Sequence, residues 1–315
     1  MVLSDEFLWR GLPTMNKSEV ESLLIKNSRT FALAISLLPD TLRHEVAITY
    51  LILRIADTLE DATQWPTPQR IEELEAFKKL LSTGGDPEIA CALGQHWTLK
   101  PPCKNSYNLE LLASTPLVMN EWRAMTPALR AIICHYSLQE IDGMIHFLLR
   151  ANEEDEIRLS NLEDLCRYCY VIAGIPGELL TRVFMDSVPS LIPAKDLLWP
   201  LAYRFGEGLQ LTNIIKDAPQ DLAEGRVYIP DGIDQAGLIA RARDNLQAAR
   251  EYVEILKNHQ CPDGIIGFCL LPIILAEETL SAITYGSSGT KLTRDQVSAI
   301  YHRLQHKGFE EKGIA

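Results

Sequence analysis

The chain has 315 residues, of which 47% are hydrophobic and 23% charged, the proportions of an ordinary globular protein. Its 30 basic residues against 42 acidic ones leave a net charge of −12, which argues against a general nucleic-acid binder. Seven cysteines, an odd number, with no basic-then-apolar leader in MVLSDEFLWRGLPTM, lead us to expect free thiols in a reducing cytosol.

Helical periodicity dominates, and no pair of alternating runs is joined by an Asn-Gly or Asp-Gly hairpin signal. Helices are expected over 17–36, 41–63, 68–82, 107–118, 127–151, 161–185, 194–217, 235–258, 264–284 and 293–305. Breakers fall between them: Pro39-Asp40, Pro66 and Pro68, Gly84-Gly85-Asp86-Pro87, Pro101-Pro102, Pro189 and Pro193, and Gly286 to Gly289. No composition shift or long polar linker divides the chain, so one all-α domain over 1–315, built by helix packing, is expected. No Walker motif and no G-x-G-x-x-G after a strand is present, so a nicotinamide cofactor, if used, is not held by the Rossmann device.

In the first predicted helix, Ser28-Arg29-Thr30 offers a guanidinium fork and two hydroxyls suited to phosphate. The second carries YLILRIADTLEDA, in which Tyr50, Arg54, Asp57 and Asp61 step by four, three and four along one face, with Glu60 at its border. The neighbours Leu51, Ile52, Leu53, Ile55 and Leu59 are apolar and no lysine is present, so these carboxylates need a cation. Paired aspartate oxygens suit Mg²⁺, which takes carboxylate and phosphate oxygens and keeps some waters.

Farther on, Cys166 and Cys169 form a C-x-x-C that reads as helix packing, since no second pair stands at zinc spacing. Gly174 and Gly177 serve either close helix packing or passage of a hydrocarbon tail along the backbone. A second polar line, Gln210, Asn213, Asp217 and Asp221, runs through GLQLTNIIKDAPQD, with Pro219 between its two aspartates; the helix is expected to bend or end there. Two such stripes facing each other across a bundle would clamp a diphosphate through bridging metals. Gly225-Arg226 and Tyr228 follow. The run IIGFCLLPIILA (265–276) is too short to cross a bilayer and reads as a buried helix, with Met144 and Phe268 as core side chains. No transmembrane segment is expected.

These residues match a known pattern. The chain resembles the squalene/phytoene synthases, head-to-head prenyl transferases with an all-α isoprenoid-synthase fold. SRTFA (28–32), YLILRIADTLED (50–61), YCYVIAGIPG (168–177), LTNIIKDAPQDLAEGRVYIP (211–230), FCLLPIILAEETL (268–280) and KLTRDQV (291–297) each have a counterpart there, and the DTLED form is most similar to the squalene-synthase branch. The resemblance implies that Asp57, Glu60, Asp61, Asp217 and Asp221 bind Mg²⁺, with Asn213 and Gln210 assisting. It implies that Ser28, Arg29, Arg54, Gln210, Lys216 and Arg226 contact prenyl diphosphate, and that Tyr50 and Tyr168 sit near the reacting carbons, with Arg54 and Asn213 in the catalytic group. Lys291 and Arg294 are its candidates for NADPH.

The chemistry so implied is ionisation of an allylic diphosphate, attack by a second prenyl diphosphate to give a cyclopropylcarbinyl diphosphate, then rearrangement and reduction to squalene. Farnesyl diphosphate is the expected substrate, and a cytoplasmic monomer or weak homodimer with peripheral membrane contact for product release is the expected setting. Three positions depart from the pattern: Gln220 stands where a carboxylate is common, Val171 where some relatives have tyrosine, and Lys216 where arginine is common. Presqualene diphosphate, dehydrosqualene or phytoene synthesis, or a terpene cyclase or aromatic prenyltransferase on the same scaffold, are the alternatives.

Overall fold

A computed structural model describes residues 19–151, 157–223, 227–285 and 292–306. The protein is all-α: the described residues form fourteen α-helices and no strand, and their one β-bridge, Arg158 to Val227, is isolated. In chain order these are α1 (Glu19–Asn27), α2 (Arg29–Leu37), α3 (Asp40–Glu60), α4 (Thr67–Ser82), α5 (Pro87–Leu99), α6 (Ser106–Ala113), α7 (Thr115–Ala124), α8 (Pro127–Leu148), α9 (Leu162–Cys169), α10 (Ile175–Ser187), α11 (Lys195–Ala223), α12 (Gln235–Asn258), α13 (Asp263–Tyr285) and α14 (Arg294–His306).

Several predicted helices are divided, each for a local reason. The run expected over 17–36 breaks at Ser28, whose extended backbone (φ −153°, ψ 103°) lets its hydroxyl accept from Phe31 N–H at 3.1 Å and cap α2. Ser28 is therefore a helix cap and not a mid-helix residue. The run over 107–118 divides at Ser114, because Pro116 has no N–H to continue the ladder; Thr115 Oγ1 donates to the Leu112 carbonyl at 2.8 Å instead. The segment 87–99, given no helix from sequence, is α5: Asp86 accepts from the Glu88 and Ile89 N–H groups and Pro87 opens the helix.

The run over 161–185 contains a π-helical turn, Tyr170–Gly174, between α9 and α10. Pro176 explains it, since its missing N–H and its ring both oppose an α-helical bond to the Ile172 carbonyl. The Ile175 N–H reaches Tyr170 O, five residues back, which is the π pattern. By contrast α11 does not end at Pro219; it runs on to Ala223, and Asp217 and Asp221 stay on one continuous helix.

The core runs from α1 to α14 as one cluster of buried aliphatic and aromatic side chains. Helix α11 packs chiefly on α12, and also on α10, α13 and the π-helical turn. A methyl group at Gly206 would lie 2.2 Å from the Ala173 carbonyl oxygen, so glycine there permits backbone contact between α11 and that turn. By length and composition α13 is apolar enough to span a membrane, yet 67% of its most apolar window is buried inside the bundle. The twelve-residue run read from sequence is thus part of a 23-residue core helix.

Candidate functional site

The two polar stripes sit on α3 and α11, and a cavity of about 330 Å³ lies between them. Tyr50, Arg54 and Asp57 line it from α3, and Gln210 and Asn213 from α11. The rest of its wall is mostly apolar and comes from α2, α10, α12, α13, the π-helical turn and further residues of α3 and α11; Phe31, Ile172, Leu180, Phe184, Phe205 and Phe268 are its larger side chains. Asn213 and Ala202, both on α11, border the cavity eleven residues apart, so it extends roughly 16 Å along that helix. One end is polar and the body is greasy.

At the polar end Arg54 donates from Nη1 to Asp57 Oδ2 at 3.1 Å, while its buried Nε has no hydrogen-bond partner among the described residues. The Asp57 side chain is 34% exposed, facing the cavity. Burial, with help from the Asp61 charge and against the pull of Arg54, pushes its carboxyl up to about 6. Glu60, only 6% exposed, is driven well above the usual carboxylate range by burial first and by Asp61 and Asp57 next. Asp61 closes α3 as its C-cap, its N–H reaching Asp57 O. Tyr50 stacks on Phe31 with centroids 5.2 Å apart, and its hydroxyl donates to the Asn27 carbonyl at 3.3 Å.

Along α11, Lys216 donates to Asn213 Oδ1 at 3.0 Å and lies 3.2 Å from Asp217 Oδ2. Asp221, one turn beyond Asp217, borders a separate hollow of about 150 Å³ with Ile214, Val227 and Tyr228. Tyr168 is buried and does not line the cavity. It stacks on Tyr228 at 5.2 Å, meets Phe147 edge-on, and lies close enough to Glu60 and Asp61 for their charges to act on its hydroxyl. Ser28 borders Tyr50 without lining the cavity, and Arg294 is exposed at the start of α14. Arg226, Gly225 and Lys291 lie outside the described residues, and the Arg29 side chain is likewise not described.

Sequence reading missed three parts of this wall. Glu140 of α8 lines the cavity although only 2% exposed. A signal was present, since Glu140 interrupts the buried stripe of Ile133, Tyr136, Ser137, Met144 and Phe147. Tyr252 and Thr181, joined by a hydroxyl hydrogen bond of 2.9 Å, line the end near Ala202. Phe268, a core side chain, also faces the cavity, and Gly177 lines it while packing closely on the Ala202 carbonyl, the helix-packing role expected of it.

Comparison with known proteins bears on this arrangement. Residues 24–237, about two thirds of the chain, match the family described as squalene/phytoene synthase. The chain belongs to that family. Among its curated relatives, squalene synthase of Schizosaccharomyces pombe is 27% identical over 309 residues, 88% of this chain and 63% of the relative. The Botryococcus squalene synthase of Botryococcus braunii is 29% identical over 82% of this chain and 56% of its own length. The bovine squalene synthase is 27% identical over 86% of this chain and 66% of its own. The chain thus spans about 60% of the length of these relatives. A solved structure of TcSQS with the ligand BPH1237 superposes with a TM-score of 0.74 at 24% identity, covering 90% of this chain and 85% of that one, a likeness of fold.

For a family member the question is whether these residues suit Mg²⁺. The donors are hard oxygens, and Asp57, Glu60 and Asp61 repel one another with Arg54 and Arg70 as the cations acting on them. That crowding fits a divalent ion. Among the described residues no three His, Cys, Asp or Glu side chains come together as a metal-holding group, so the fit rests on the hard-oxygen donors and their mutual repulsion alone. For NADPH the described residues offer no comparable fit, because Arg294 is exposed and is not part of the cavity wall.

Proposed function

We propose that this protein is a squalene synthase, condensing two farnesyl diphosphates head to head through presqualene diphosphate and reducing the product to squalene with NADPH. The observation that carries the proposal is the single cavity that joins Arg54, Asp57, Gln210 and Asn213 to a long apolar body. It suits a molecule with a polyanionic head and a hydrocarbon tail. In this reading Asp57, Glu60 and Asp61 on one side, and Asp217 and Asp221 on the other, hold Mg²⁺. When bound, the ion would neutralise the diphosphate and ease its departure.

The chain's own side chains do the rest. Arg54, through its free Nε, and the amides of Gln210 and Asn213 offer donors to diphosphate oxygens, with Lys216 poised beside Asn213. The aromatic and aliphatic walls exclude water from a carbocation, and Tyr50, stacked on Phe31, presents a ring at the polar end where that charge develops. Tyr168, buried and absent from the cavity wall, is given no direct contact with the substrate in this reading. The reductive step rests on likeness to the curated squalene synthases, and no residue is assigned to it.

The test is incubation of the purified protein with farnesyl diphosphate and Mg²⁺, with and without NADPH, followed by product identification. Squalene formed only with NADPH is the expected result. Presqualene diphosphate accumulating despite NADPH would leave a presqualene diphosphate synthase, and dehydrosqualene, or phytoene from geranylgeranyl diphosphate, would each name the corresponding alternative. No consumption of any prenyl diphosphate would overturn the enzymatic reading. The proposal includes peripheral contact with a membrane surface for release of the apolar product.

A further inference from the structure

Glu140 is the anomaly of the cavity. It sits two-thirds of the way along α8, on a helix outside both aspartate-rich stretches, and lines the cavity beside Asp57. Its side chain is almost wholly enclosed, and Oε2 has no hydrogen-bond partner among the described residues. Ser137, one turn earlier on the same buried face, likewise has an unpartnered Oγ. A buried carboxyl without a partner costs stability, so an acid kept there needs a ligand to account for it.

The identity of that ligand follows from its neighbour. Glu140 and Asp57 line the same cavity, and Asp57 lies near enough for its charge to act on Glu140. Arg54 is committed through Nη1 to Asp57 and is not among the groups acting on Glu140. Two carboxyls thus face one cavity, only one of them paired with a guanidinium, and hard carboxylate oxygens so placed suit a small divalent cation.

We propose that Glu140 belongs to the metal-binding end of the cavity and contributes a carboxylate oxygen to Mg²⁺ from a third helix, alongside Asp57. This rests on the metal–diphosphate reading given above. It adds to the two aspartate-rich helices a ligand that neither contains. It also gives the buried stripe of α8 a reason to carry an acid where its neighbours are apolar.

The test reads metal binding apart from turnover. Mn²⁺ would be titrated into the full-length protein in the presence of inorganic diphosphate, followed by electron paramagnetic resonance and calorimetry, for wild type, Glu140→Gln and Asp57→Asn. Glu140→Met, of similar length and without the acid, carries the same expectation should the glutamine variant fold poorly. Loss of Glu140 should weaken Mn²⁺ binding by about tenfold or more and shrink the rise in melting temperature that Mn²⁺ with diphosphate produces. Unchanged binding in the Glu140 variants, with a clear loss in Asp57→Asn, would overturn the assignment of Glu140 and leave the metal site standing. Unchanged binding with a fall in turnover would also overturn it, placing Glu140 against the hydrocarbon part of the substrate. Unchanged binding in all variants would overturn the metal reading and this proposal together.

Discussion

Replacing Gly206 with alanine tests the geometry on which the cavity depends. Glycine to alanine inside an exposed helix ordinarily gains up to about 1 kcal/mol. Here the added methyl would stand 2.2 Å from the Ala173 carbonyl oxygen and 2.5 Å from its carbon, both backbone atoms that no rotamer change can move aside. Restoring an ordinary 3.4 Å contact requires α11 and the π-helical turn to separate by about 1.2 Å. Overpacking of this kind costs roughly 1–3 kcal/mol, and backbone overlap belongs at the upper end, so the net loss is about 2 kcal/mol. At roughly 2 °C per kcal/mol for a chain of this size, the melting temperature should fall by about 4 °C.

The same shift moves Gln210 and Asn213, one and two turns along α11, relative to Arg54 and Asp57 across the cavity. A misplacement near 1 Å can cost on the order of 10²-fold in rate. Turnover of farnesyl diphosphate in Gly206→Ala, assayed well below its melting temperature, should therefore drop far more than the stability loss alone would cause. Gly237→Ala is the control, because its nearest neighbour would be a side-chain oxygen of Asp234 at 3.7 Å. It should melt at or above the wild-type temperature with full activity. A Gly206→Ala protein that matched this control in both measurements would refute the close approach of α11 to the π-helical turn.

Substitution of Tyr252 by leucine removes the ring and the hydroxyl pair with Thr181 at the end of the cavity opposite Asp57. The ratio of geranylgeranyl to farnesyl turnover should rise by about tenfold, the scale on which a hydrophobic pocket distinguishes chain extensions; an unchanged ratio would mean that the tail ends elsewhere. Asp164 is held at about 2 by the Arg150 hydrogen bonds, with the Ser160 N–H assisting. Because its folded value lies below the ordinary 3.8, it stabilises the protein above that pH and the contribution is lost as the pH falls through about 2. Denaturant melts should accordingly show Asp164→Asn less stable than wild type at pH 5 to 7, with the gap closing toward pH 2. A gap that widened in acid would reverse the sign of this argument.

How far the sequence discloses such a site depends on the range of the interactions involved. The stripe Tyr50, Arg54, Asp57, Asp61 was legible because helix periodicity alone puts those residues on one face, and α3 carries them so. The same holds for Gln210 and Asn213 on α11. Pro219 misled, since proline lowers helix propensity without abolishing it where the rest of the helix is packed, as α11 is against α12. The break at Ser28 and the helix opened by Asp86-Pro87 were written in short capping signals that periodicity overran. The facing of Tyr252 and Thr181 was not legible at all, because those side chains are 71 residues apart and meet only through tertiary packing.

Tyr168 shows the difference between belonging to a motif and touching a substrate. It lies in the stretch most similar to the family, yet its ring is walled off by Phe147 and Tyr228. Burial first, and then the charges of Glu60, Tyr228 and Asp61, push its hydroxyl well above the ordinary tyrosine range. The division of labour across the wall is then physical. Asp57 and Glu140 face the cavity, while Tyr168 is buried and does not line it. The charged groups line one end of the cavity, and Phe31 and Phe268, edge to face, belong to its apolar wall. One cavity thus joins a polar end to an apolar body, and the helices α3 and α11 are long enough to border both.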